Sequence, residues 1–206
     1  MATSRPIIPI VSRSLEHWRT VRLAHLDELE AAHTAVGGTR PGRRHATLQL
    51  NYAYAMMLSS QFQGFCRHIH FEAADHFFAH VNSYSVLAAS VLRARLVEGR
   101  KLDQGNPNPG NIGSDFGRFG IRFWDLVIAK DARCALAKEH LEVLAVWRNA
   151  IAHNDFSSDK LNGKTSLRLA DVQSLRRDCD LLAATFDGVL HDLLLDLKRP
   201  TPWAWR

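Results

Sequence analysis

Apolar residues recur at three- and four-residue intervals along nearly the whole chain, and no segment alternates as a half-buried strand would. From 15 to 36, Leu15, Trp18, Val21, Leu26 and Leu29 trace one helical face, with Ser14 placed to cap it. GGTRPGRR at 37–44 is a loop by its Gly, Pro and Arg content. The apolar-periodic stretch at 47–98 predicts two helices, broken near FFAHVNSYS at 77–85. GRKLDQGNPNPGNIGSDFGRFG at 99–120 is turn-rich. Its two Asn-Pro pairs exclude a continuous helix, because proline pushes the residue before it out of helical geometry. A short helix at 121–129 and a longer one at 132–152 come next, followed by the turn HNDFSSDKLNGKTS. The last helix is predicted to start at Asp171 as N-cap. Val172, Leu175, Leu182, Phe186, Val189, Leu193 and Leu197 form its apolar stripe, and it stops before KRPTP. The resulting fold class is all-α: a bundle of four to five main helices with a turn-rich insertion around 99–120. A chain of 206 residues suits one domain, here 14–198, between a flexible N-terminal segment, 1–13, and a C-terminal tail, 199–206.

Composition narrows the classes. The longest apolar runs, DLVIA and DLLLDL, are far below a membrane span, so no membrane partner is expected. Two prolines interrupt the start, MATSRPIIPIVSRSLEHW, before its apolar run is long enough for a secretory signal; a cytoplasmic location is the expectation. Cys66, Cys134 and Cys179 are odd in number, widely spaced and set in helical patterns. They read as reduced, buried thiols rather than as a disulfide frame or a zinc site. The net charge is +5, carried by 20 arginines and six lysines. Arginine's planar fork suits phosphate, which favours a nucleic-acid partner. The same balance also fits an Ala- and Arg-rich chain whose charge has no binding role.

Three stretches are candidates for chemistry. In CRHIHFEAADHFFAH, residues His68, Glu72, His76 and His80 recur every four positions and share one helix face. A di-iron bundle of that kind needs Glu-x-x-His pairs from two helices, and Glu30–His33 is the chain's single such pair. The stripe therefore reads as a polar face beside Phe71, Phe77 and Phe78, and no metal or cofactor is expected. GNPNPGNIG has the composition of a phosphate loop but neither the Walker spacing nor a preceding strand. It is a structured turn that can shape one wall of a groove. Arginine followed by histidine after four to six residues occurs four times: Arg19–His25, Arg40–His45, Arg133–His140 and Arg148–His153. Chance alone gives ~3 such matches, so spacing does not discriminate. Context does. Only Arg148–His153 closes a strongly apolar helix, with Asn149 after the arginine and Asn154 placed as a C-cap.

VWRNAIAHNDF resembles the signature helix of HEPN domains, whose motif is Arg, a polar residue and then His after four to six positions. LNYAYAMMLSSQFQGFCRHIHFEA and GNPNPGNIGSDFGRFGI resemble the paired helix and inter-helix segment of the RiboL-PSP-type subgroup, so the likeness covers about 45–156. Gln63 stands where some relatives have glutamate, which leaves Glu72 and Asp75 as substitute acids.

The resemblance implies a metal-independent endoribonuclease that leaves 2′,3′-cyclic phosphate ends, a toxin or phage-defence protein, acting on RNA as a homodimer and held by a cognate antitoxin. Its catalytic residues would be Arg148, His153 and Asn149. Histidine moves protons near neutral pH, arginine neutralises a phosphorane, and Asn149 would hold phosphate or orient His153. Five helical residues separate Arg148 from His153 by about 140° and about 7.5 Å, so a two-fold axis bringing two helix ends together would complete the site. Two other readings stand beside it. Basic residues in a last turn also serve the helix dipole. A non-catalytic HEPN-like module binding RNA, nucleotide or a partner protein would carry the same residues.

Overall fold

The computed structural model describes residues 11–37, 44–82, 84–161, 163–197 and 202–203. Residues 1–10 of the expected N-terminal segment, 38–43 of the 37–44 loop, and all of the expected tail except Pro202 and Trp203 lie outside the described residues. Arg40 and the His45 side chain are outside them as well.

The protein is all-α, and the described residues contain no strand. Helix α1 (Arg13–His17) runs through a π-helical turn (Trp18–Arg22) into α2 (Leu23–Gly37). Helix α3 (Arg44–Asn82) spans 39 residues and turns back into α4 (Val86–Val97). The 99–120 segment holds two short helices, α5 (Lys101–Gln104) and α6 (Pro109–Phe116), and a 3₁₀ turn (Gly117–Phe119). Helices α7 (Phe123–Lys130), α8 (Cys134–His153) and α9 (Leu169–Leu195) complete the chain. Helix α3 is the centre: α1, α2, α4, α8 and α9 all pack on it, and α8 lies against α9.

Phe186 of α9 is fully buried and gathers the aromatic core. Its ring lies 4.8 Å from Phe123, 5.5 Å from Trp124, 5.9 Å from Phe116 and 6.1 Å from Phe62. Each such side chain contributes roughly 1.5–3 kcal/mol by leaving water. The apolar stripe of α9 is buried as expected from Val172 to Val189, while Leu193 is half-buried and Leu197 lies beyond the helix. Cys66, Cys134 and Cys179 are free thiols inside the core, and burial pushes all three up in pKa.

Two helix starts and one internal turn differ from the sequence reading. Ser12, not Ser14, caps α1: its hydroxyl accepts from Leu15 N at 3.0 Å, and Ser12 N donates to Asp187 of α9. The π turn adds residues to its coil, so the face through Trp18 and Leu26 leaves Val21 exposed. Helix α9 starts two residues before Asp171, whose carboxylate accepts from the Arg168 N–H at 3.0 Å from the third helical position. Asn108 caps α6, with Pro109 in the first turn where its missing N–H costs nothing.

Candidate active site

The α8 sequence buries Leu141, Leu144, Ala145 and Trp147 and leaves its opposite side to solvent. The helix ends where Asn154 adopts left-handed geometry, φ 52° and ψ 39°. Asn154 N bonds back to Ile151 O at 3.3 Å and Asp155 N to Ala150 O at 2.9 Å, a closure that satisfies the last carbonyls. Asparagine tolerates this conformation because its short polar side chain adds little clash. Behind the cap, Phe156 stacks on Tyr52 of α3 at 5.0 Å, and Asn51 Nδ2 donates to Leu167 O at 2.9 Å. These contacts tie the 154–168 loop to α3.

His153 is exposed at this rigid end, and among the described residues it makes no hydrogen bond or ion pair. Arg148 is half-buried and likewise has no carboxylate partner; its Nη1 donates to Asn149 Oδ1 at 3.3 Å. The other described Arg–His pairs are engaged. Arg133 pairs with Asp131 at 2.7 Å, and His140 Nδ1 lies 2.7 Å from Asp178. His25 receives the Gln61 amide at 3.3 Å. At the α8 end, neither basic group is hydrogen-bonded to a carboxylate, although His153 is near enough to Asp155 to help hold that carboxyl down.

A groove of about 450 Å³ runs beside His153, lined by Val146, Asn149, Ala150, Asp155 and Lys160. A second of about 480 Å³ continues it along α8 past Val143, Val146 and Lys160. Lys160 pairs with Asp155, holding that carboxyl below the usual carboxylate range. Arg148 does not line the groove, in keeping with the divergence expected of residues five apart.

Asn149 meets its neighbours through its side-chain oxygen. Its Oδ1 accepts from Arg148 and, at 2.5 Å, from Asn106 Nδ2; it makes no hydrogen bond to His153. Asn106 belongs to GNPNPG, so that turn does reach the site. Neither Asp155 nor Lys160 was singled out by the sequence, since their shared place in the groove depends on how the 154–168 loop folds back.

Gln63 answers the question raised by its departure from glutamate. Its Nε2 donates to Leu102 O at 2.7 Å and to Gly105 O at 2.8 Å, clamping the start of the 99–120 segment. A carboxylate there would face two carbonyl oxygens. The substitute acids are occupied elsewhere. Glu72 accepts from Arg13 N, Ser14 N and Ser14 Oγ, and Asp75 pairs with Arg93 at 3.2 Å.

The histidine stripe also disperses. His68 meets Arg22, buried Glu72 holds α1, the His76 ring lies 6.5 Å from Trp203, and His80 is 5.6 Å from Tyr84. Glu30, of the lone Glu-x-x-His, binds Tyr54, Gln173 and Arg176. Among the described residues no group of three His, Cys, Asp or Glu is arranged for a metal ion, and no helix is long and apolar enough to cross a membrane.

Comparison with protein-family models, with curated proteins and with solved structures finds no match.

Proposed function

We propose that the protein is a metal-independent endoribonuclease of HEPN type, acting through Arg148, Asn149 and His153. One observation carries the reading most. Of the described Arg–His pairs with this spacing, Arg148–His153 is the pair without an acidic or amide partner on its histidine, and it sits on a capped helix end beside a groove. His153 takes the 2′-hydroxyl proton of RNA as that oxygen attacks the adjacent phosphorus, and Arg148 neutralises the phosphorane. The 5′-oxygen leaves with a proton, and a 2′,3′-cyclic phosphate remains. Asn149 holds the Arg148 guanidinium rather than the histidine.

A homodimer completes this chemistry. Two copies of the α8 end related by a two-fold axis supply two histidines, one as base and one as acid, and overcome the angular divergence within one chain. The half-buried Val143 and Val146, packed against the core and lining the groove, would be the apolar ground next to such a pairing. A toxin or phage-defence role, a cognate antitoxin and a cytoplasmic site of action belong to the same proposal.

Purified protein incubated with RNA in EDTA tests it. Cleavage is expected to continue in EDTA and to fall at least 100-fold in His153→Ala and in Arg148→Ala, the scale of losing general acid–base catalysis. Cleavage unaffected by both substitutions would refute this site. RNA bound without cleavage would instead favour the non-catalytic binding module.

A further inference from the structure

A third groove, of about 570 Å³, opens between α1 and α3 away from the α8 end, with His17, His68, Phe71, Arg100 and the carboxylates Glu72 and Asp75 among its walls. Behind one wall residue, His68, stands Arg22. The π turn places this residue on the α3 side of its coil, and the guanidinium lies flat against α3 at Gly64. A Cβ at Gly64 would come within 2.6 Å of Arg22 Nη1 and 2.8 Å of Nη2, so glycine is what admits the guanidinium. A glycine inside a helix costs about 1 kcal/mol relative to alanine, and here it makes room for a charge.

That charge has no acidic partner. Arg22 Nη1 donates to Gln61 Oε1 at 2.7 Å and Nη2 to His68 Nδ1 at 3.3 Å, while Nε is buried without any acceptor. A guanidinium only donates, so His68 Nδ1 is the acceptor and the neutral ring carries its proton on Nε2. Gln61 passes its own amide to His25 Nδ1. The His17 ring lies 6.3 Å from that of His68. Burial first, and then the neighbouring cations, push His17 and His68 down in pKa.

The two wall carboxylates, and Asp103 beside Arg67 and Arg100, have partners of their own. Glu72 accepts from the start of α1, Asp75 pairs with Arg93, and Asp103 pairs with both Arg67 and Arg100. Half-buried cations are ordinarily matched by an anion, because desolvating a guanidinium without one is costly. We propose that the α1–α3 groove binds a small phosphomonoester, its dianion received by the His68 and His17 ring N–H groups, with the Arg22 guanidinium polarising the His68 ring from behind. The space exceeds a bare phosphate, and Phe71, 36% exposed on the wall, offers apolar surface to the organic part of the ligand.

Titration calorimetry of the full chain with AMP, glucose 6-phosphate and adenosine tests the assignment. One or both phosphate esters are expected to bind saturably and adenosine not to bind. Gly64→Ala should displace the Arg22 tip while leaving the fold intact, weakening phosphate-ester binding at least tenfold with little change in Tm. His68→Ala should do the same from the exposed side. His153→Ala should leave binding unchanged, which separates this site from the nuclease reading. Absence of saturable phosphate-ester binding, equal affinity for AMP and adenosine, or wild-type affinity in Gly64→Ala would each overturn the proposal.

Discussion

The Asn106 side-chain amide donates to Asn149 Oδ1 at 2.5 Å, joining the 99–120 segment to the last turns of α8. The same oxygen receives Arg148 Nη1, so one asparagine carbonyl collects a loop and the site arginine. The loop has its own supports. Asn111 Nδ2 donates to Asn106 O at 2.8 Å, and Gln63 holds Leu102 and Gly105.

Asn106→Ala therefore leaves the loop in place and removes one of the two donors on Asn149. Loss of a hydrogen bond worth about 1 kcal/mol corresponds to a roughly fivefold fall in kcat/KM for RNA cleavage. Measurement against wild type at equal Tm checks this; an unchanged kcat/KM would remove Asn106 from the site.

Gln63→Glu should harm this chain. The new carboxylate would meet Leu102 O and Gly105 O with nothing to donate. The expected destabilisation is about 2–3 kcal/mol, a fall in Tm of roughly 5–10 °C. A thermal melt at neutral pH decides it, and a Tm equal to wild type would mean that the clamp is dispensable.

Acid sensitivity should trace to His70. This buried ring donates from Nε2 to Asp115 O at 3.1 Å and accepts from Arg100, and burial, with Arg100 next, pushes its pKa down from 6.5 to about 4. Between those values the unfolded chain binds a proton that the folded chain refuses. The contribution of the neutral ring is thus complete above pH 6.5 and drains as pH falls toward 4, by up to roughly 3 kcal/mol. Urea midpoints at pH 7 and about pH 4.5 should fall further in wild type than in His70→Gln, and equal falls would exclude His70 as the cause.

The helices were legible because burial imposes a 3.6-residue period that Leu141, Leu144 and Phe186 obey. Ser12 and Ser14 both suit a cap, and only the tertiary bonds to Asp187 and Glu72 separate their roles. The π turn has no local code. Arg148, Asn149, His153 and the Asn154 cap were readable because they lie on one helix. Asn106, Asp155 and Lys160 were not, since each reaches its place through loop closure. Gly64 and Arg22 were not singled out, since nothing in the local sequence says which residue will press against that glycine.

Gln63 and Gly64 are successive residues of α3, yet one secures the segment that reaches the α8 groove and the other seats the Arg22 guanidinium. Successive helical residues point about 100° apart, so a single turn gives footing to both places. The two footings are one peptide unit apart and keep that spacing while α3 stays helical. Anything long enough to occupy both grooves must match a fixed gauge.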